Sequence, residues 1–162
     1  MPVLPCRAIA HTIDILSYNV RSFRLKLIDP PALEFQAGQF VIINVPKDLP
    51  GAPQDVRARA AQTAGPVVKR AYSIASPPHE KGFLEFCIQH VEGGIASTYF
   101  WQLKEGDMVS LTGPHGRFLL KEPMDYDPVF MATGTGVAPL RSMIKHLVHM
   151  NCARTSWLLF GC

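Results

Sequence analysis

The chain has 162 residues, 48% hydrophobic and 18% charged, with 16 basic against 13 acidic side chains and a net charge of +3. That length suits one ordinary domain, or one domain plus part of a second. It can bury a core without disulfides or a structural metal, and the apolar fraction excludes intrinsic disorder. The basic residues are scattered rather than clustered, which argues against nucleic acid and membrane surfaces as partners.

The opening Met-Pro-Val-Leu-Pro has neither the basic nor the apolar region of a signal peptide. No stretch approaches the roughly 18 apolar residues that span a bilayer. Cys6, Cys87, Cys152 and Cys162 stand far apart with no C-x-x-C, so reduced thiols and a cytoplasmic location are expected.

From 7 to about 120 the dominant period is two. Strands are predicted over 8–16, over 23–27, where Phe23, Leu25 and Leu27 alternate with Arg24 and Lys26, and over 39–45. Further strands are predicted over 68–75, 83–91, 107–112 and 117–120. Turn signals separate them, among them Pro77-Pro78, Gly93-Gly94 and Gly113-Pro114. Such a series reads as an antiparallel barrel or sandwich. Residues 47–67 are rich in Ala, Pro, Gly and Gln without a sheet period, and are expected to form a mobile surface excursion.

After Tyr126-Asp127-Pro128 the texture changes. Val129–Ala132 reads as a short buried strand, followed by the turn Thr133-Gly134-Thr135-Gly136. A helix carrying Val137, Leu140, Ile144, Leu147 and Val148 follows, then a second buried strand over Trp157–Phe160. Strand–helix–strand opens a parallel α/β sheet. Two strands and one helix leave a face uncovered, so the chain is expected to be cut short or completed by another chain.

Four segments carry chemistry. In Arg70-Ala71-Tyr72-Ser73, strand alternation puts Arg70 and Tyr72 on one face, where an arginine fork suits phosphate and a tyrosine offers a flat ring. Gly93-Gly94-Ile95-Ala96-Ser97-Thr98 precedes a predicted helix over 99–103, and glycines before a helix let backbone N–H groups approach an anion. Gly113-Pro114-His115-Gly116-Arg117-Phe118 is a tight turn. Gly134-Thr135-Gly136-Val137-Ala138-Pro139 enters a helix as G-x-G-x-x-P, which differs from the dinucleotide fingerprint G-x-G-x-x-G.

Taken in order, these segments resemble the ferredoxin–NADP reductase superfamily: Arg-x-Tyr-Ser, Gly-x-x-Ser, Gly-Pro-x-Gly-x-Phe and Ala-Thr-Gly-Thr-Gly-Val-Ala-Pro. Phe35-Gln36-Ala37-Gly38-Gln39-Phe40 fits its barrel as well. The resemblance implies a six-stranded antiparallel Greek-key β-barrel that binds FAD over 1–124. The first strand–helix–strand of an NAD(P)-binding α/β domain would follow over 125–162.

It also implies roles. Arg70 would bind a flavin phosphate, Tyr72 would stack on the isoalloxazine ring, and Ser73 would hydrogen-bond near its N5, making Tyr72 and Ser73 the catalytic pair. Backbone and hydroxyl groups of Gly94, Ile95, Ala96 and Ser97 would hold the pyrophosphate. Ile88, Gln89 and His90 would meet the adenosine side, with Gln89 where relatives often carry Lys or Arg. Gly134, Thr135 and Gly136 would face both the flavin and an incoming nicotinamide.

The implied activity is hydride transfer from NAD(P)H to FAD, with FAD preferred to FMN. Electrons would then pass to a partner protein such as a ferredoxin, flavodoxin or oxygenase. The alternatives are a flavin-binding electron-transfer subunit reduced by a partner protein, a non-catalytic truncated fragment, and a flavin-free interaction module. No metal is expected: His146 and His149 read as a solvated helix face, and the cysteines lack iron–sulfur spacing. Glu122, Asp125 and Asp127 are expected to be solvated, and Cys87 to be a small strand residue. Arg141 and Lys145 are either a helix face or an attraction for an anionic cofactor or acidic partner.

Overall fold

The computed structural model describes residues 1–50 and 52–161. Six strands form one antiparallel sheet: β1 (Leu4–Ser17), β2 (Val20–Asp29), β3 (Phe40–Pro46), β4 (Val67–Ser73), β5 (Phe83–Gln89) and β6 (Met108–His115). Their spatial order is β4-β3-β6-β1-β2-β5. Within it the run β6-β1-β2-β5 is a Greek key, since the chain leaving β5 returns beside β1.

The alternation read in the sequence is what the sheet buries. Phe23, Leu25 and Leu27 of β2, Val41, Ile43 and Val45 of β3, and Leu84, Phe86 and Ile88 of β5 are each at most 4% exposed, in one shared core. Burying each such side chain contributes about 2 kcal/mol. The two edge strands, β4 and β5, are not paired with each other. Just past β4, the Ala75 N–H donates to Glu85 O at 2.7 Å and closes one end of the gap.

Two expectations are corrected here. Residues 47–67 are not a surface excursion: they contain helix α1 (Gln54–Ala61), and Leu49, Ala52, Val56 and Ala60 belong to the barrel core. Helix formers surround a two-residue apolar stripe, Val56 and Ala60 at i and i+4, too short to register as a period. Nor is 117–120 a strand. β6 runs on through Gly113-Pro114 to His115, taking up the glycine and proline in a register shift against β3. Gly116, at φ +97°, then turns the chain out of the sheet.

The helix predicted over 99–103 begins earlier than expected, as α2 (Ile95–Gln102). The last third is β7 (Val129–Thr133), a 3₁₀ turn (Gly134–Gly136), α3 (Val137–His149) and β8 (Trp157–Gly161), with β7 and β8 parallel. α3 buries Ala138, Leu140, Met143 and Leu147, whereas Val148 is exposed. Trp157 to Phe160 are exposed as well, although the sequence reads them as buried.

α3 is fastened to the barrel by polar groups. Arg141 donates to Ala75 O at 2.9 Å and pairs with Glu85 at 2.8 Å, and the Ser142 hydroxyl donates to Ser76 O at 2.7 Å. Lys145 pairs with Glu80 at 3.0 Å, and Arg24 of β2 reaches the same carboxylate at 3.3 Å. Arg141 and Lys145 are therefore committed to this seam. His149 is exposed, as expected of a solvated helix face, and its ring stacks on His79 with ring centroids 3.7 Å apart.

Burial, with His149, His146 and Lys145 adding and Glu80 opposing, lowers the His79 pKa below the usual imidazole value. Burial raises that of Glu80, but the Lys145 hydrogen bond and the charges of Lys145, Arg24 and His79 outweigh it and leave a lowered value. Both groups bind protons less readily folded than unfolded, so their contribution to stability is complete above about pH 6.5, the ordinary imidazole value. It is lost as pH falls through the folded values. The Tm should therefore drop between pH 7 and pH 5.5, and His79→Gln should flatten that drop; identical slopes for both proteins would overturn the assignment.

Candidate functional site

A cavity of about 600 Å³ opens where the two unpaired edges of the sheet face each other, a size suited to a ligand of cofactor dimensions. Arg70, Ala71, Tyr72 and Ser73 of β4 form one wall, with Cys87, Ile88 and Gln89 of β5 opposite. The first turn of α2 supplies Gly94, Ile95, Ala96 and Ser97, and the turn into α3 adds Thr135 and Gly136. Twelve of the fourteen residues singled out in the sequence thus meet at one cavity.

β4 is held in place by its pairing with β3, Arg70 opposite Ile43 and Tyr72 opposite Val41. Tyr72 is half-buried, its ring edge-on to Phe100 at 5.1 Å. Burial pushes its phenol pKa up to about 12, against the pull of Arg70, so the ring stays neutral. Arg70 is exposed, with one nitrogen donating to Lys69 O at 2.9 Å, and most of its fork is left free.

The α2 terminus is built by Ser97. Its hydroxyl accepts the Val91 N–H at 3.1 Å and lies 2.9 Å from Val91 O and 3.0 Å from Gly94 O. The hydroxyl, expected to hold a ligand, is buried and staples the glycine loop to the helix. The main chain there is open to a ligand, since first-turn amides have no acceptor within their own helix. Gly94 is needed there, because a Cβ would come within 2.8 Å of Ser97 Oγ and 2.9 Å of Val91 O.

Two expected residues stand apart from the cavity. The His90 N–H donates to Asn19 O at 2.7 Å, and its ring leans on Trp101 at 5.0 Å; it follows the end of β5, past the strand edge that faces the cavity. Gly134, at φ +50°, turns the chain without lining the wall. Ile88 lies at the wall but only 2% exposed, packed into the core beneath.

Sequence reading missed Arg59, Ala60 and Thr63 of the α1 segment, which cover one end of the cavity; Gly93, Ala138 and Pro139, which belong to the two glycine segments read in the sequence, stand on its margins. Cys87 faces the cavity with its thiol pKa raised by burial, opposed by Arg141 and supported by Glu85. The protonated thiol is a weak nucleophile.

Arg59 and Arg70 are the charged side chains on the wall, and no carboxylate lines it among the described residues. Two guanidinium groups, free helix amides and a neutral aromatic ring fit a phosphate-bearing ring cofactor such as a flavin nucleotide. No helix among the described residues is long and apolar enough to cross a membrane.

Comparison with known proteins agrees with this arrangement. Residues 8–119 match the oxidoreductase FAD-binding domain family and residues 130–162 the oxidoreductase NAD-binding domain family. Ferredoxin–NADP reductase B of Sorangium cellulosum is 38% identical over 146 residues, covering 90% of this chain and 53% of that protein. The phenol hydroxylase P5 protein of Acinetobacter pittii is 35% identical over 150 residues, 92% of this chain and 37% of that one. The crystal structure of the Amycolatopsis cytochrome P450 reductase GcoB superposes with a TM-score of 0.79 at 28% identity, covering 99% of this chain and 44% of that one. The chain thus spans about half the length, or less, of the curated relatives it matches. With its Greek-key barrel, its cationic cavity and these two domain matches, the chain belongs to the ferredoxin–NADP reductase superfamily.

Proposed function

We propose that this chain is the flavin-holding part of an NAD(P)H-dependent reductase. The reaction passes a hydride from NAD(P)H to FAD, and electrons then go to a partner protein such as a ferredoxin, flavodoxin or oxygenase. The observation that carries this reading is the meeting of Arg70–Ser73, the α2 terminus and Thr135-Gly136 at one cavity. The barrel is assigned to 1–124 and the nucleotide-binding part to 125–162. A cytoplasmic setting is supported by Cys6, Cys87 and Cys152, which are free thiols.

Bound FAD supplies the redox chemistry, taking two electrons as a hydride and giving them up singly. The chain supplies position. Arg70 would grip a phosphate, the amides of Ile95, Ala96 and Ser97 would hold the pyrophosphate, and Tyr72 would give the ring system a neutral face. Ser73 would hydrogen-bond near the flavin N5, and Thr135 and Gly136 would form the side that a nicotinamide approaches. Nothing lies within 4 Å of where a Cβ on Gly136 would sit, which leaves room for such an approach.

Chromatography of flavin released from the purified protein should identify FAD, and anaerobic NADH or NADPH should bleach it. A chain that retains no flavin after refolding with excess FAD would sink the reading. Tyr72→Ala should weaken FAD about tenfold, the scale of one lost aromatic contact plus its packing, and shift the visible spectrum. An unchanged affinity and spectrum would remove Tyr72 from the site.

A further inference from the structure

We propose that Arg59, on the helix inserted between β3 and β4, is a second phosphate-binding arginine of the cavity. With Arg70 it selects a flavin dinucleotide over a flavin mononucleotide. The inference rests on the flavin reading above and adds the residue that sets the choice of flavin.

The position of Arg59 is anchored. Val56 and Ala60 on the same helix are each 1% exposed in the barrel core, so the helix cannot drift from the cavity. Arg59 itself is exposed and lines the cavity together with Thr63. One nitrogen, Nη1, donates to Gly93 O at 3.2 Å, so the guanidinium lies beside the glycine loop that leads into α2. A guanidinium has five N–H groups, and that single exposed bond leaves most of them for a ligand.

Gly93 permits the approach. It sits at φ +66°, and a Cβ there would come 3.1 Å from Arg59 Nη1 and 3.6 Å from Asp55 Oδ2. Asp55 stands one turn before Arg59, yet it is outside the lining of the cavity and outside ion-pair distance of Arg59 among the described residues. No ion pair among the described residues joins Arg59 to Asp55, although both side chains approach the same face of Gly93.

The arithmetic of anion contacts then favours two phosphates. Arg70 comes from an edge strand and Arg59 from a separate helix beside the α2 amides. A single phosphate meets one planar fork bidentately. Two forks share one monophosphate only where both reach its three oxygens; Arg59 stands beside Gly93 at the α2 terminus and Arg70 on β4, and the second phosphate of a dinucleotide extends the anion from one to the other. A mononucleotide flavin would engage one arginine; a dinucleotide engages both.

The test is a pair of titrations, FAD and FMN, followed by fluorescence quenching on the wild-type protein and on Arg59→Gln, Arg59→Lys and Arg70→Gln. Arg59→Gln should weaken FAD about tenfold and leave FMN within about twofold, on the scale of one charge-assisted contact. It should also flatten the salt dependence of FAD binding. Arg59→Lys should fall between it and wild type, keeping the charge and losing the fork, while Arg70→Gln should weaken both flavins.

Because Arg59 is exposed, its variants should keep the wild-type circular dichroism and Tm. Equal weakening of FAD and FMN by Arg59→Gln would mean that the residue merely props the glycine loop, and would overturn the proposal. So would unchanged FAD affinity. A wild-type chain that binds neither flavin overturns the flavin reading itself, and this proposal with it.

Discussion

Phe100→Ala should cost the protein about 4 kcal/mol, the range for deleting a fully buried aromatic ring, and should release bound flavin as well. Phe100 is 0% exposed in α2. Its ring meets Phe23 of β2 at 4.9 Å, Tyr99 at 5.6 Å and Tyr72 of β4 at 5.1 Å, each edge-on. One ring therefore joins β2, the helix whose first turn lines the cavity and the tyrosine of the cavity wall. Alanine leaves a void that the barrel cannot close without moving β4 or α2. Phe100→Leu, which refills most of the volume, should recover more than half of the loss. Urea unfolding with matched FAD titrations separates the two effects. Unfolding that moves without any change in FAD affinity would show that Tyr72 does not depend on this ring.

The second large effect is expected at Gly38. Its φ is +100°, and a Cβ would fall 2.1 Å from the carbonyl oxygen of Phe118 and 2.3 Å from Met143 Cε. The Met143 methyl is the end of a flexible side chain and can swing aside, but the Phe118 carbonyl is main chain and cannot yield cheaply. Left-handed strain of roughly 1–2 kcal/mol adds to an overpacking cost of roughly 1–3 kcal/mol, and Gly38→Ala should lose about 3 kcal/mol. The neighbouring Ala37 belongs to the small core formed with Phe130, Leu140, Met143 and Leu147, so the damage is expected at the seam between α3 and the barrel. Gly106→Ala is the control. At φ +95° with nothing within 4 Å of its Cβ, it should cost only the backbone share, roughly 1–2 kcal/mol. Equal losses at both glycines would show that close packing at Gly38 is not what its residue type protects.

Local chemistry made the frame legible. Alternation in β2, β3 and β5 marked the buried faces before any fold was known, because a half-buried strand writes its two sides into successive residues. The strand–glycine turn–helix after Asp127 was equally plain, as was the Arg70–Ser73 segment. Where reading failed, the cause was also local. The apolar stripe of α1 is only Val56 and Ala60, and a proline that usually ends a strand was accepted in β6 by a register shift.

The sequence by itself determined the antiparallel barrel, the change to α/β texture and the ordered motifs that identify the superfamily, since each is a pattern within a few neighbouring residues. Only the tertiary structure decided which groups share a cavity. The Greek-key crossing sets β4 and β5 at opposite edges of one curled sheet, and the gap between those edges gathers residues from 59 to 139. It brought in Arg59, left out His90 and turned the Ser97 hydroxyl into a staple. Periodicity reports which face of an element is apolar; what covers that face, and which polar atoms are consumed in doing so, is settled by packing between segments far apart in the chain.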